Sequence, residues 1–88
     1  MPDAAAVAKL SPPERAAFIG RMVDGLSQRL KADGRDLAGW QQLVRAYVVL
    51  GRKTDAVAAI ADARRNFAGD EKALGEIDAM VRSLGLGS

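Results

Sequence analysis

The sequence contains neither cysteine nor histidine, and aromatic residues make up only 5% of it. Without these residue types the chain has no disulfide, no thiol nucleophile, no imidazole acid–base group and no Cys/His zinc site. We therefore expect no metal and no cofactor. The 11 acidic residues are scattered singly, mostly at caps or on exposed faces, with no nucleophile beside them. This pattern predicts that the protein is not an enzyme.

Strong positive charge and long apolar runs are also missing. A net charge of +2 is small compared with the concentrated basic faces of nucleic-acid-binding proteins, so we expect no nucleic-acid partner. No apolar run approaches the roughly 18 residues that span a bilayer, and no signal peptide is evident. Met1 and Gly87-Ser88 are interpreted as edges of an expressed fragment, and a membrane anchor or export signal is expected outside it.

The 88 residues are 49% hydrophobic and 27% charged, which is typical of a single globular domain. Apolar residues recur at helical spacing and no stretch alternates with a period of two, so the predicted fold is all-α. Residues 1–10 lack an amphipathic pattern and are predicted to be a disordered tail or linker. Residues 11–86 are predicted to form one helical domain.

The first helix is predicted over residues 12–33. Ser11 and Glu14 form a capping-box pattern, and Pro12 suits the first helical position. Gly34 is a typical C-terminal stop. The predicted buried stripe comprises Phe18, Ile19, Met22, Val23, Leu26 and Leu30.

Three further helices follow after short loops, which favour antiparallel neighbours. Asp36 is predicted to cap the second helix, the third begins near Thr54 or Asp55, and Asp70 caps a fourth over about 71–84. The predicted stops are Gly51, Gly69 and Gly85. The apolar stripes are Leu37, Trp40, Leu43, Val44, Tyr47 and Leu50; then Ala56, Val57, Ile60, Ala63 and Phe67; then Leu74, Ile77, Val81 and Leu84.

The second and third helices combine large residues on one with small residues on the other, a complementarity that lets helical hairpins stack. The residues are Trp40, Leu43, Tyr47, Ala56, Ile60 and Ala63. In this order they resemble the 34-residue tetratricopeptide pattern over about 37–70. The resemblance implies a right-handed superhelical fragment of about four helices that binds proteins. Val44 and Ala68 depart from the pattern, and an unrelated four-helix bundle is the alternative.

A closer resemblance covers residues 18–66. It is carried by Phe18 to Leu26, Arg29-Leu30-Lys31, Asp36 to Trp40 and Leu43 to Gly51. These runs are similar to the tetratricopeptide region of the CcmI/CycH family of cytochrome c-type biogenesis proteins of Gram-negative bacteria. The resemblance implies a chaperone-like subunit on the periplasmic side of the inner membrane, within a membrane-anchored parent. Its implied partners are the C-terminal helix of apocytochrome c and subunits of the haem-ligation complex.

In tetratricopeptide folds the first helix of each hairpin lines a concave groove. The residues predicted to line it here are Ala38, Gln41, Arg45, Val48 and Val49, bordered by Lys72 and Arg82. Gln41 and Arg45 lie one turn apart and can hold a carboxylate or backbone carbonyls, while Val48 and Val49 can receive apolar anchors. The plain alternatives are a solvated charge at Arg45 and helix packing at the two valines.

Charge leaves further alternatives open. A cytochrome c terminal helix is often lysine-rich, so Asp24, Asp62 and Asp78 are expected to contribute attraction. The basic pairs Arg52-Lys53 and Arg64-Arg65 flank the third helix and raise a DNA-binding helix-turn-helix as an alternative. The mostly alanine third helix has few side chains that read bases, which disfavours it. A generic scaffold, or self-association through an incompletely capped end, remains the second hypothesis, and the oligomeric state is open.

Overall fold

The computed structural model describes residues 11–86, which form four α-helices. These are α1 (Pro12–Ala32), α2 (Leu37–Val49), α3 (Lys53–Asn66) and α4 (Glu71–Ser83). No strand occurs in this described part, and the predicted all-α fold of helical hairpins is confirmed. The central element is α2, which packs against each of the other three helices. The predicted tail over 1–10 and the interpretation of residues 87–88 lie outside the described residues.

The starts of three helices follow the predicted caps. At α1 the Glu14 amide donates to Ser11 Oγ at 3.3 Å, and the Ser11 amide donates back to Glu14 Oε1 at 3.3 Å. Asp36 and Asp70 cap α2 and α4 by accepting amide hydrogen bonds of 3.0 and 3.1 Å. Because each cap satisfies an otherwise unpaired first-turn donor, the helix boundaries are locally determined.

The start of α3 differs from the prediction. The helix begins at Lys53, one or two residues before the expected Thr54 or Asp55, and the preceding Arg52 provides no side-chain cap. Asp55 instead accepts a 2.7 Å hydrogen bond from Nε of Arg52 within the first turn. A carboxylate in the first turn is favourable at the positive end of the helix dipole, so Asp55 stabilises the start of α3 without a side-chain cap.

Left-handed glycines end the last three helices, as predicted. Gly51, Gly69 and Gly85 have φ of 74°, 88° and 69°, a region that glycine enters without a steric penalty. Helix α1 also ends where predicted, directly before Gly34, but by a different geometry: its C-cap residue Asp33 has an extended backbone, and Gly34 does not have a positive φ.

Gly34 lies where the loop after α1 comes close to α2 and α3. Its carbonyl accepts a 2.8 Å hydrogen bond from Nε1 of Trp40. A Cβ atom at this position would overlap the side chain of Asn66, at the end of α3. The absence of a side chain at residue 34 therefore lets the loop sit against both α2 and α3.

The tetratricopeptide-like residues all lie in the core between α2 and α3, where none is more than 7% exposed. Ala56 and Ala63 are fully buried, so α3 approaches the aromatic residues of α2 closely. The six residues are Trp40, Leu43, Tyr47, Ala56, Ile60 and Ala63. Val44, the departure from the pattern, is also fully buried. The hydrophobic face predicted for α2 is therefore the centre of the fold.

The stripe predicted for α1 is only partly buried. Val23 and Leu30 are in the core, while Ile19 and Leu26 pack at its edge. Met22 is 48% exposed, because no described element covers that side of α1. The periodicity identified the correct face, but the neighbouring helix covers only half of it.

Trp40→Phe tests the indole hydrogen bond. The change keeps an aromatic ring but leaves the Gly34 carbonyl without its donor, so we expect a loss of about 1–3 kcal/mol in the free energy of unfolding. Chemical denaturation followed by circular dichroism measures it. Tyr47→Phe is the matched control, with an expected loss of less than about 0.5 kcal/mol. Equal losses in the two variants would contradict a specific role for the indole N–H.

Ser11→Ala tests the cap of α1. We expect a loss of about 1 kcal/mol in stability. Hydrogen bonds from the Ser11 hydroxyl, and secondarily from its backbone amide, lower the pKa of Glu14. Since the folded pKa is lowered, the stabilisation is complete above the ordinary glutamate pKa and is lost as the pH falls through the folded value. An NMR titration of the Glu14 carboxyl should show its pKa rising in the variant; an unchanged pKa would exclude this contact.

Candidate peptide-binding surface

The outer surface of α2 is determined by its buried face. Four residues at spacings of four, three and four lie opposite the core and are all exposed: Ala38, Gln42, Arg45 and Val49. Their row forms a ridge along α2 (the α2 ridge), with α4 on one side and α1 on the other. A groove runs along each side of the ridge. The central helix of the fold therefore contributes a wall to two separate grooves.

The groove between α2 and α4 (the α2–α4 groove) has a volume of about 400 Å³. Gln41 and Arg45 line it on α2, as predicted. On α4 the lining residues are Glu76, Ala79, Met80 and Ser83. Arg45 and Gln41 offer donors, Glu76 offers an acceptor, and Met80 supplies an adaptable apolar floor. This combination suits a peptide segment with polar and apolar side chains.

The other predicted groove residues fall elsewhere. Val48 lines a different cavity of about 270 Å³, with Lys53, Leu84 and Leu86. Val49 is 78% exposed at the end of the α2 ridge, and Ala38 is exposed at its start. The structure therefore gathers only Gln41 and Arg45 at one groove, and it separates the two valines.

Lys72 and Arg82 are exposed and are not among the residues that line the α2–α4 groove, so their border position stays a prediction. Lys72 lies one turn before Glu76 on the same face of α4. Arg82 follows the buried Val81 on another face of α4. The lining residues that sequence reasoning missed, at positions 76, 79, 80 and 83, share one face of α4. Helical spacing groups them, but it does not show that this face meets α2.

The groove between α1 and α2 (the α1–α2 groove) is larger, about 530 Å³, and more apolar. It is lined by Ile19, Arg21, Met22, Val23, Gly25, Leu26, Arg29, Gln42 and Ala46. The sequence analysis predicted that Ile19, Met22, Val23 and Leu26 are buried in the core, so it did not predict this groove.

Three of the four basic residues that suggested DNA binding form ion pairs with carboxylates of this chain. Arg52 pairs with Asp55 at 2.7 Å, and this hydrogen bond raises the pKa of the guanidinium. The Cζ atom of Arg52 also lies over the Tyr47 ring, 4.9 Å from the ring centre. Arg64 pairs with Asp78 on α4 at 2.9 Å. Arg65 pairs with Asp62 within α3. These ion pairs place Asp62 and Asp78 on arginines of this chain, rather than in the α2–α4 groove.

Residues 11–86 show neither a metal site nor a membrane-spanning helix. No cluster of three or more acidic side chains there has the arrangement to hold a metal ion. None of the four helices is both long and apolar enough to cross a membrane.

Two known proteins are similar to this chain in sequence. The chain is 40% identical over 82 residues to the cytochrome c-type biogenesis protein CycH of Bradyrhizobium diazoefficiens. It is 39% identical over 82 residues to CycH of Rhizobium meliloti. The predicted resemblance to CycH proteins is confirmed. Each match covers 93% of this chain and 22% of the relative, so this CycH-like chain spans about a fifth of the relatives' length. No family model and no solved structure matches it.

Val49→Ala tests whether the α2 ridge of this CycH-like chain is free of a structural role. Val49 buries little area and is β-branched, so we expect a change in unfolding free energy within about 0.5 kcal/mol. Val44→Ala is the matched substitution, five residues earlier on the buried face of α2. Val44 is fully buried, and its loss should cost about 2–3 kcal/mol through lost burial and a cavity. Similar losses at both positions would show that Val49 packs against something in solution.

Proposed function

We propose that this chain is a non-catalytic protein-binding module that acts in cytochrome c biogenesis. The observation that carries the proposal is the identity of about 40% to CycH proteins over 93% of the chain. The name of those relatives indicates cytochrome c biogenesis. The open groove along α2, with donors, an acceptor and an apolar floor, supports a binding role for the region.

The substrate proposed is the C-terminal helix of apocytochrome c, held in the α2–α4 groove in a chaperone-like manner before haem ligation. Under this proposal α2 and α3 form a tetratricopeptide hairpin, and α4 is the first helix of the next unit. The whole protein would be membrane-anchored, would present this region on the periplasmic side of the inner membrane and would deliver its client to the haem-ligation complex. The buried large-into-small packing of α2 and α3 supports the hairpin assignment.

The charge of the groove suits a lysine-rich helix better than the sequence suggested. Glu76 lies on the opposite wall from Arg45 and can accept a lysine. Asp62 and Asp78, which the sequence offered for this attraction, are paired with arginines. Glu76 therefore replaces them as the acidic group of the site, while Met80 and Ala79 receive the apolar face of the client.

A titration of the isotope-labelled chain with a C-terminal helix peptide of an apocytochrome c tests this proposal. We expect amide shifts at Gln41, Arg45, Glu76 and Met80. Glu76→Lys should weaken a lysine-bearing peptide about threefold to tenfold, since an attraction becomes a repulsion of similar size. Asp24→Lys is the control: the sequence also suggested Asp24 for this attraction, but Asp24 is exposed on α1 and does not line the α2–α4 groove, so the same charge change there should have little effect.

The second candidate is a scaffold that self-associates, and exposed Val49 and Met22 are the observations that favour it. Peptide-independent shifts that grow with protein concentration would support it. Absence of any peptide response in the α2–α4 groove would refute the capture of apocytochrome c at this site.

A further inference from the structure

The α1–α2 groove has the length and the apolar lining that would accommodate one additional helix. Its floor and walls are apolar at Ile19, Met22, Leu26 and Ala46. Met22 leaves 48% of its surface exposed within it. From Ile19 to Arg29 the wall of α1 rises by about 15 Å, which corresponds to three turns of a partner helix. An apolar trough of this length between two helices accommodates side chains at i, i+4, i+7 and i+11 of a third.

The charges of the groove are all of one sign. Arg21 and Arg29 line it, and no acidic residue does. Neither arginine forms an ion pair within residues 11–86, in contrast with Arg52, Arg64 and Arg65. The two are eight residues apart on α1, about 12 Å along the axis. A guanidinium at each end of an apolar trough is suited to bidentate recognition of carboxylates on the bound helix.

We infer that the α1–α2 groove binds an amphipathic helix of a partner protein that carries two carboxylates about two turns apart beside its apolar stripe. The partner's apolar residues lie on Met22, Leu26 and Ala46. Its carboxylates lie near Arg21 and Arg29. This surface is distinct from the α2–α4 groove, and the inference does not depend on what that groove binds.

Charge complementarity also argues against the other occupants. A second copy of the chain seated symmetrically would bring its own Arg21 and Arg29 against the same two arginines, and like charges in contact are unfavourable. The amino-terminal segment, MPDAAAVAKL, contains one carboxylate, Asp3, and one lysine. It therefore lacks the pair of carboxylates that the groove is arranged to meet.

The test uses the full 88-residue chain and a synthetic 18-residue helical peptide with leucines at i, i+4, i+7 and i+11 and two flanking glutamates eight residues apart. Titration at about 150 mM salt limits long-range attraction to about 8 Å. We expect amide shifts at Ile19, Met22, Leu26 and Ala46, and none at Glu76 or Met80. The same peptide with lysine in place of both glutamates should bind at least tenfold more weakly.

Two pairs of variants separate groove binding from general stickiness. Met22→Glu should weaken the glutamate peptide at least tenfold. Val57→Glu, on α3, should change the affinity for the glutamate peptide less than twofold. Val57 is a matched control because it is 47% exposed and Met22 is 48% exposed. Arg29→Glu should weaken binding threefold or more, while Lys53→Glu, the same charge reversal outside the groove, should change it less than twofold. Retained helicity and unfolding midpoint confirm that each variant folds.

Several results would overturn the inference. Absence of binding, equal affinity for the lysine peptide, or equal losses at Met22 and Val57 would each refute it. Concentration-dependent shifts at Ile19 and Met22 without peptide would assign the groove to a second copy. If Met22→Glu shifts the amides of residues 1–10, the chain's own amino-terminal segment is the occupant. In all these cases the apocytochrome c titration, read at Glu76 and Met80, still reports independently on the other groove.

Discussion

The packing of the aromatic residues of α2 against the alanines of α3 is the contact on which the rest of the structure depends. Trp40 and Tyr47 are buried in one core cluster with Ala56 and Ala63, whose small side chains allow α3 to lie close against α2. The indole is fixed by its hydrogen bond to Gly34, which ties the end of α1 to the same centre. Because one face of α2 is used in this way, its opposite face has to be the exposed ridge. The core thus determines where the two grooves lie, although it does not determine what they bind.

Features of the fold that depend on neighbouring residues could be predicted from the sequence. The Ser11–Glu14 capping box, the aspartate caps and the left-handed stops act within one helical turn, so their residue types are sufficient evidence. Features that depend on a distant element could not. Gly34 is the residue type that commonly follows a helix end, but the need for glycine there comes from the side chain of Asn66, which is 32 residues away. Met22 belongs to a helical stripe, yet its exposure depends on how far α2 extends over α1.

The candidate site shows the same division. Gln41 and Arg45 could be placed on a groove because the core face of α2 is unmistakable, and the residues beside it follow from helical geometry. The opposite wall could not be placed, because the angle at which α4 crosses α2 selects which of its faces is presented. Glu76 and Met80 consequently line the α2–α4 groove, although the sequence analysis named neither of them. Asp62 and Asp78 illustrate the converse, since arginines from the same chain neutralise them.

The two grooves share the α2 ridge but differ in charge, and this difference bears on how a single small domain could sort two helices. Arg45 and Glu76 both line the α2–α4 groove, so this groove offers charges of both signs. The α1–α2 groove has only Arg21 and Arg29 among its charged lining residues. Under the two proposals, a lysine-rich helix would be repelled from the second groove and tolerated in the first, whereas a helix with spaced carboxylates would be attracted to the second. Since like-charge contact discriminates between partners more sharply than apolar burial does, the arginines of α1 can direct a basic client toward α4 without contacting it.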